Sequence, residues 1–136
     1  MTQHDRDRQA IEKIEGPGFD KPFLTASQRI AFNSSYQIYT MVTTDANNLI
    51  LYECIGWYIF HPKVKRKICI PFANISSLLI KKVLFNTVIS MQVSEGEKPV
   101  FYRLTVFLRG FKKNAVEQEE AQSVINTLKE KTGYEV

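Results

Sequence analysis

The sequence predicts an α+β fold that is mainly β: a curled antiparallel sheet or small open barrel of about seven strands, closed by one C-terminal α-helix. Short apolar segments with strand-like alternation fill the chain from Ile30 to Arg109, and turn residues separate them. The segment 114–132 instead repeats its apolar residues at helical spacing. A length of 136 residues suits one domain. We expect this domain at 23–136, after an N-terminal tail at 1–22.

The beginning of the chain allows alternative interpretations at two places. Residues 1–22 are mostly polar, and either a short helix over about 7–15 or an irregular tail agrees with them. Farther on, Thr25–Gln28 has the form of a helix capping box. Ile30 and Phe32, however, alternate with polar neighbours, and this alternation favours a first strand in the region.

Six further strands follow from alternation and from the turn residues between them. We predict these strands at 36–43, 49–60, 65–70, 76–82, 88–93 and 100–109. Turns are predicted at 45–48, 85–87 and 94–99. The strand at 49–60 is apolar on both faces, and Gly56 in its middle predicts a bend or bulge. His61-Pro62 forms the tip of the following hairpin. Pro71 is expected to interrupt the strand ladder before a short corner at 72–75.

The C-terminal helix has both of its ends marked in the sequence. Asn114 is placed to cap the first turn, and Glu117 can reach back to it in a capping box. Gly133 follows the last turn, where a left-handed residue commonly ends a helix. One apolar stripe runs along the helix through Val116, Ala121, Val124, Ile125 and Leu128. Because such a stripe needs an apolar surface, we expect the helix to lie on the sheet.

Two stretches resemble the pleckstrin-homology-like (PH-like) and GRAM-like domains of bacteria. Within 67–80, the passage Ile68-Cys69-Ile70-Pro71-Phe72-Ala73-Asn74-Ile75 resembles a strand that ends in a Pro-aromatic corner, with an Ile entering the core. The helix at 124–133 is similar to the closing helix of the same domains. The resemblance covers about 30–132 and implies a PH-like fold and a non-enzymatic binding or assembly module. The phosphoinositide signature of eukaryotic PH domains is not matched, so the resemblance does not imply lipid binding.

The composition is that of a globular protein, with 44% hydrophobic and 24% charged residues. The N-terminal residues are polar and lack the apolar core of a secretory signal peptide. No apolar run reaches the length of a membrane-spanning helix. We therefore expect a cytoplasmic protein, with peripheral contact to a membrane as an open alternative. The formal net charge of +4 permits an anionic partner without requiring one.

Residues suited to catalysis or metal binding are sparse. His4 lies in the tail and His61 at a hairpin tip, and the sequence places neither beside a partner for acid-base chemistry. Cys54 and Cys69 are equidistant from that tip and can lie opposite each other across two strands. In a cytoplasmic protein they are interpreted as reduced core thiols rather than as a redox pair or half a zinc site. We expect no enzymatic activity, no metal and no cofactor.

The strongest candidate for a functional site is the basic hairpin, which comprises Lys63, Lys65, Arg66 and Lys67. Positive side chains concentrated at a hairpin tip attract the phosphates of anionic lipid or nucleic acid. Lys81 and Lys82 extend this site if their strand packs nearby. The alternative is a solvated strand edge whose lysines prevent aggregation. Aromatic residues near the hairpin could stack on RNA bases. They are Tyr52, Trp57, Tyr58 and Phe60. Aromatic residues in strands, however, usually belong to the core.

Three functions therefore remain open. The leading hypothesis is a non-catalytic binding or scaffold module that contacts a protein partner, or itself, through an exposed strand edge. The second is an anion-binding module that uses the basic hairpin against anionic lipid or nucleic acid. The third is a small-ligand carrier or enzyme with a pocket inside the sheet, to which Glu53, Tyr102 and Arg103 contribute polar groups.

Overall fold

The structure, a computed structural model, describes residues 2–29, 37–54, 62–83, 86–107 and 115–133. Within these ranges the chain forms two α-helices, seven β-strands and one short 3-10 helix. Their order is α1 (Gln3–Glu15), β1 (Leu24–Arg29), β2 (Gln37–Thr44), β3 (Asn48–Cys54), β4 (Val64–Pro71), the 3-10 helix η1 (Phe72–Asn74), β5 (Ile75–Val83), β6 (Asn86–Glu95), β7 (Lys98–Phe107) and α2 (Ala115–Thr132).

All seven described strands belong to one antiparallel sheet with the order β4-β3-β2-β1-β7-β6-β5. Strands β1 to β4 form one meander and β5 to β7 a second, because each strand pairs with its neighbour along the chain. The pairing of β1 with β7 joins the two meanders. The predicted strand number, antiparallel pairing and closing helix are confirmed. The sheet itself is open, with β4 and β5 as its edges, and is not curled into a barrel.

The helix α2 packs against one face of the sheet, here called the inner face. The described part of its predicted stripe is buried at Ala121, Val124, Ile125 and Leu128, each at most 3% exposed. These side chains share one core with alternate residues of the strands, such as Leu51, Met91 and Leu104. Gly133 ends the helix as predicted: its φ is 76°, and its N–H donates to the Lys129 carbonyl at 3.0 Å.

The N-terminal segment is a helix that covers part of the opposite face, here called the outer face. A capping box fixes its start, since the Asp5 N–H donates to Thr2 Oγ1 at 3.1 Å and the Thr2 N–H donates to Asp5 Oδ2 at 3.0 Å. Ile11 of α1 is fully buried against the outer-face side chains of β2 and β3, which include Tyr52. The helical interpretation of the tail is therefore correct, and α1 begins at Gln3, earlier than predicted.

The structure decides between two local alternatives in favour of the expected strand and corrects two local predictions. Thr25–Gln28 lies within strand β1, so the capping-box helix is wrong there. Asn86 and Thr87 are the first residues of β6 rather than turn residues. Pro71 remains paired with Asn48 at the end of β4, and the predicted corner follows it as η1. The predictions for Ile30, Phe32, Gly56, His61, Asn114 and Val116 concern residues or side chains outside the described part of the chain.

Candidate interaction surfaces

The predicted basic hairpin is divided between paired and exposed side chains. Arg66 Nε donates to Glu53 Oε1 at 2.8 Å, and Lys67 Nζ lies 2.5 Å from Glu15 Oε1. The hydrogen bond to its carboxylate raises the pKa of each cation, because a bonded negative charge favours the protonated form. Lys63 and Lys65 are exposed and form no ion pair within the described ranges. The unpaired positive charge of the hairpin is therefore two lysines rather than four cations.

Lys81 and Lys82 lie far from the basic hairpin in the strand order. They belong to β5, which is the sheet edge opposite to β4. Both side chains are exposed. Lys81 and Lys82 therefore do not extend the basic hairpin, because their strand does not lie beside it.

Glu53 owes its burial to a polar network on the inner face. Glu53 is only 4% exposed, and a buried carboxylate requires hydrogen-bond partners. Gln28 Nε2 donates to Glu53 Oε2 at 2.9 Å, and Thr40 Oγ1 donates to Gln28 Oε1 at 3.1 Å. Together with Arg66, these residues satisfy the carboxylate. The network links β1, β2, β3 and β4, so its first role is to hold the sheet together.

The three residues predicted to line an internal pocket lie on two faces of the sheet. Tyr102 is buried on the inner face, where burial, followed by the charges of Glu95 and Glu53, raises its pKa. Arg103 is exposed and faces the outer side, because consecutive strand residues point to opposite faces. Arg103 therefore contributes to the surface described below and not to an interior pocket.

Tyr52 is the one described member of the aromatic group considered for RNA stacking. It is 1% exposed and packs beneath α1, and its hydroxyl donates to Glu15 Oε1 at 3.1 Å. Its ring therefore belongs to the core and offers no face for a base to stack on. Trp57, Tyr58 and Phe60 lie outside the described residues.

The two cysteines do not lie opposite each other. Cys54 is paired with Val64 and Cys69 with Ile50, so the thiols are displaced along the strands. Both are free; Cys54 is buried beneath α1 and Cys69 is exposed. The expectation of a core thiol therefore holds for Cys54 and is wrong for Cys69. Burial, with the charge of Asp7 as a second cause, raises the pKa of the Cys54 thiol to about 12.

An open groove of about 770 Å³ lies on the outer face, over β5, β6, β7 and the end of β1. The apolar residues beneath α1 come from β2, β3 and β4, so α1 covers the other half of this face. Leu79 and Phe101 line the groove and are 59% and 50% exposed. A single exposed apolar side chain is ordinary, but two in one groove mark a candidate contact surface.

Strand register orders the side chains of this groove into rows. One row runs across four strands through Arg29, Arg103, Ser90 and Leu79. The adjacent row contains Phe101, Gln92 and Ser77. The two arginines are directly opposite each other, and both are exposed. Within the described ranges neither forms an ion pair with a carboxylate.

Sequence reasoning found only part of this surface. Because side chains alternate along a strand, the predicted strand at 100–109 puts Phe101 and Arg103 on one face, and the structure agrees. Arg29 was not connected with them, because a pairing between distant strands leaves no periodic signal in either segment. Leu79 was counted as an ordinary strand residue. One signal in the sequence could have identified it: Leu79 is an apolar residue on the face of its strand where alternation predicts polar residues.

Metal-ligating side chains are scattered in the described ranges, where no group of three or more His, Cys, Asp or Glu is placed to hold an ion. Neither described helix has the length and apolar character needed to cross a membrane.

A single sheet of seven antiparallel strands with a C-terminal helix against its inner face defines the fold as PH-like. Among solved structures, the chain is similar to the hSac2 domain from the human phosphoinositide phosphatase Sac2. The TM-score is 0.55 at 11% sequence identity, over 96% of this chain and 81% of that one. This likeness concerns the fold alone. No protein-family model matches the chain, and no curated protein matches its sequence.

Proposed function

We propose that this chain is a non-catalytic binding module of PH-like fold whose partner is a protein. The observation that carries the proposal is the half of the outer face that α1 does not cover, where Leu79 and Phe101 are exposed in one groove. A partner that covers these apolar side chains removes them from water, and this burial favours the complex. The proposal keeps the expectation that the chain belongs to the bacterial PH-like group and works in the cytoplasm.

The edge strand β5 supports the same proposal. In the described part of the chain β5 pairs only with β6, and the backbone groups of its other side are there available to an added strand. A register shift between Ile75 and Ser77 and the exposed Lys81 and Lys82 oppose indiscriminate pairing. The edge therefore favours a selective partner over aggregation. Leu79 connects this edge with the groove.

Peptide selection tests the proposal directly. Peptides that bind the wild-type protein are selected from a random library displayed on phage. The affinity of each selected peptide is then measured for the wild type and for Leu79→Ser. We expect this substitution to weaken binding about tenfold, since it removes a large apolar contact. Ile14→Ser is the matched control, because Ile14 is also exposed, at 47%, but lies on α1. A library that yields no binder, or binders indifferent to Leu79→Ser, would contradict the proposal.

Self-association is a form of the same function. Size-exclusion chromatography with light scattering, at low and at moderate salt, measures the oligomeric state. A defined oligomer at both salt concentrations that dissociates in Leu79→Ser would identify a second copy as the partner. A monomer at both concentrations would leave a different protein as the partner.

Binding to an anionic surface is the second candidate, and the exposed Lys63 and Lys65 favour it. Each basic residue near an anionic membrane contributes about 1 kcal/mol. Flotation with phosphatidylserine vesicles should therefore show weak, salt-sensitive binding that Lys63→Ser/Lys65→Ser abolishes. Lys81→Ser/Lys82→Ser, on the other sheet edge, is the matched control. Absence of vesicle binding by the wild type at low salt would exclude this candidate.

A further inference from the structure

We infer that the outer-face groove binds an acidic segment of a partner protein that also carries an apolar side chain. The inference rests on the proposed function and names the chemistry of its partner. The groove combines two kinds of contact, the positive pair Arg29 and Arg103 and the apolar walls Leu79 and Phe101. Each kind requires a different group from the partner.

The arginine pair is the more specific feature. Arg29 and Arg103 occupy directly opposite positions on β1 and β7, where like charges repel. In the described part of the chain no carboxylate compensates them. A carboxylate from outside would contact both guanidinium groups, which present several N–H donors in a planar fork. The pair therefore favours an acidic ligand over a neutral or basic one.

The strand register also sets the spacing between the two contacts. Arg103 and Leu79 lie in one row, with Ser90 of β6 between them. Two strand spacings of about 4.8 Å separate them by roughly 10 Å. A partner segment in polyproline II conformation, with three residues per turn and a rise of about 3.1 Å per residue, covers this distance in three residues and presents both side chains on the same side. The expected ligand therefore carries an acidic residue and, about three positions away, a Leu or Phe.

Two other occupants agree less well with this surface. A second copy placed face to face would bring the arginine pairs of both molecules into one interface. The formal net charge of +4 adds to their repulsion. A membrane offers anionic headgroups, but they form a broad surface, whereas Leu79 and Phe101 line a groove. A protein segment can place one carboxylate and one apolar side chain into it.

Charge reversal tests the inference. Peptides selected from the phage library on the wild-type protein are measured by fluorescence anisotropy against R29E/R103E. We expect the selected sequences to combine Asp or Glu with Leu or Phe, and to bind R29E/R103E more than about tenfold more weakly. K63E/K65E is the matched control, because it changes the net charge equally at the β4 side of the sheet. It should retain binding.

The single variant R103E separates folding from binding. It places a glutamate opposite Arg29, so its midpoint of thermal unfolding should equal or exceed that of the wild type while peptide binding falls. Loss of binding with a lowered midpoint would be an effect on folding and would overturn the inference.

The remaining outcomes separate this inference from the proposed function. Peptides that bind wild type and R29E/R103E equally would overturn the inference and leave the proposed function intact. Failure to select any peptide would overturn both. Binding to phosphatidylserine vesicles that R29E/R103E alone abolishes, without any acidic peptide, would show a membrane as the occupant. Dimerisation that R29E/R103E abolishes would show a second copy.

Discussion

Arg29 and Arg103 bear on stability as well as on binding. Like charges in directly opposite positions of an antiparallel pair cost about 0.2–1 kcal/mol, and opposite charges there contribute a similar amount. Because the two arginines are direct partners, we expect Arg103→Glu to raise the free energy of unfolding by about 1 kcal/mol. Arg103→Ser, which only removes the repulsion, should give a smaller gain. Urea denaturation measures both values.

Lys63→Glu controls for the change in net charge. Lys63 is exposed and precedes β4, and no described strand residue is paired with it. Its replacement should change the free energy of unfolding by less than about 0.5 kcal/mol. A gain in Lys63→Glu equal to that in Arg103→Glu would show that net charge, and not the cross-strand pair, governs the effect.

The two thiols should differ sharply in reactivity. The thiolate is the reactive species, and burial raises the pKa of Cys54 to about 12. Cys69 is exposed. In native protein near neutral pH, we expect a chromogenic disulfide reagent to modify Cys69 rapidly and Cys54 only after denaturation. Cys69→Ser should therefore remove the fast phase, whereas fast modification of Cys54 in that variant would contradict the burial beneath α1.

At the scale of elements, α1 depends strongly on polar contacts with the rest of the molecule. Arg8 Nη2 donates to Glu120 Oε1 of α2 at 2.7 Å, and the Tyr39 hydroxyl donates to the buried Asp7 Oδ2 at 2.7 Å. His4 Nε2 also contacts Glu120 Oε2. Since Ala10 and Ile11 are the apolar residues that α1 buries, these polar groups decide how firmly the helix is held.

Acid should loosen the C-terminal end of α1. The hydrogen bond from Lys67, with a second from Tyr52, lowers the pKa of Glu15 below its ordinary value of 4.5. Stability from this contact is therefore complete above that value and is lost as the pH falls through the lower folded pKa. We expect Glu15→Gln to lose less unfolding free energy than the wild type between about pH 5 and pH 3. Urea denaturation at each pH measures this loss.

Glu12→Gln is the control for this pH dependence. Glu12 lies on the same helix and forms no ion pair in the described ranges. Its replacement should leave the acid-induced loss as it is in the wild type. Equal pH profiles for Glu15→Gln and the wild type would show that the contact with Lys67 adds nothing to stability in solution.

The two helices differ in how far their sequences predicted them. α2 was predicted with its stripe and its terminal Gly133 because periodicity and capping are local signals. The capping box of α1 was equally local, in Thr2 and Asp5, yet its few apolar residues left an irregular tail as an alternative. Its packing depends on the distant Tyr39 and Glu120, and no local pattern announces such contacts.

At the scale of the whole molecule, the inner core joins both meanders into one unit. Leu104 is fully buried in the middle of β7, where it is paired with Gln28 of β1 and Ile89 of β6. Leu104→Ala should lower the free energy of unfolding by about 2–5 kcal/mol through lost burial and a cavity. Leu79→Ala, on the exposed side of β5, is matched in chemistry and should cost less than about 0.5 kcal/mol.

A single cooperative transition in urea would show that the meanders unfold together. Separate transitions followed by fluorescence and by circular dichroism in Leu104→Ala would contradict a shared core.

The order of the strands explains why the groove could not be predicted. Alternation indicated where most strands lie, and hairpin neighbours such as β5 and β6 follow from their short connection. The pairing of β1 with β7 joins segments from opposite ends of the chain, and their local patterns would equally suit other partners. The pairing of Lys67 could not be predicted for the same reason, because its partner Glu15 belongs to the N-terminal helix.

That strand order has a consequence for protein engineering. The chain passes from the first meander to the second once, at η1. All strands of the first meander precede η1 in the sequence, and all strands of the second follow it. A backbone cut at 72–74 would yield two fragments that meet through four described residue pairs of β1 and β7 and through the packing of α2 on β1 and β2. We therefore expect the two fragments to assemble more readily when fused partner proteins hold them close together, which is the arrangement that a split reporter uses.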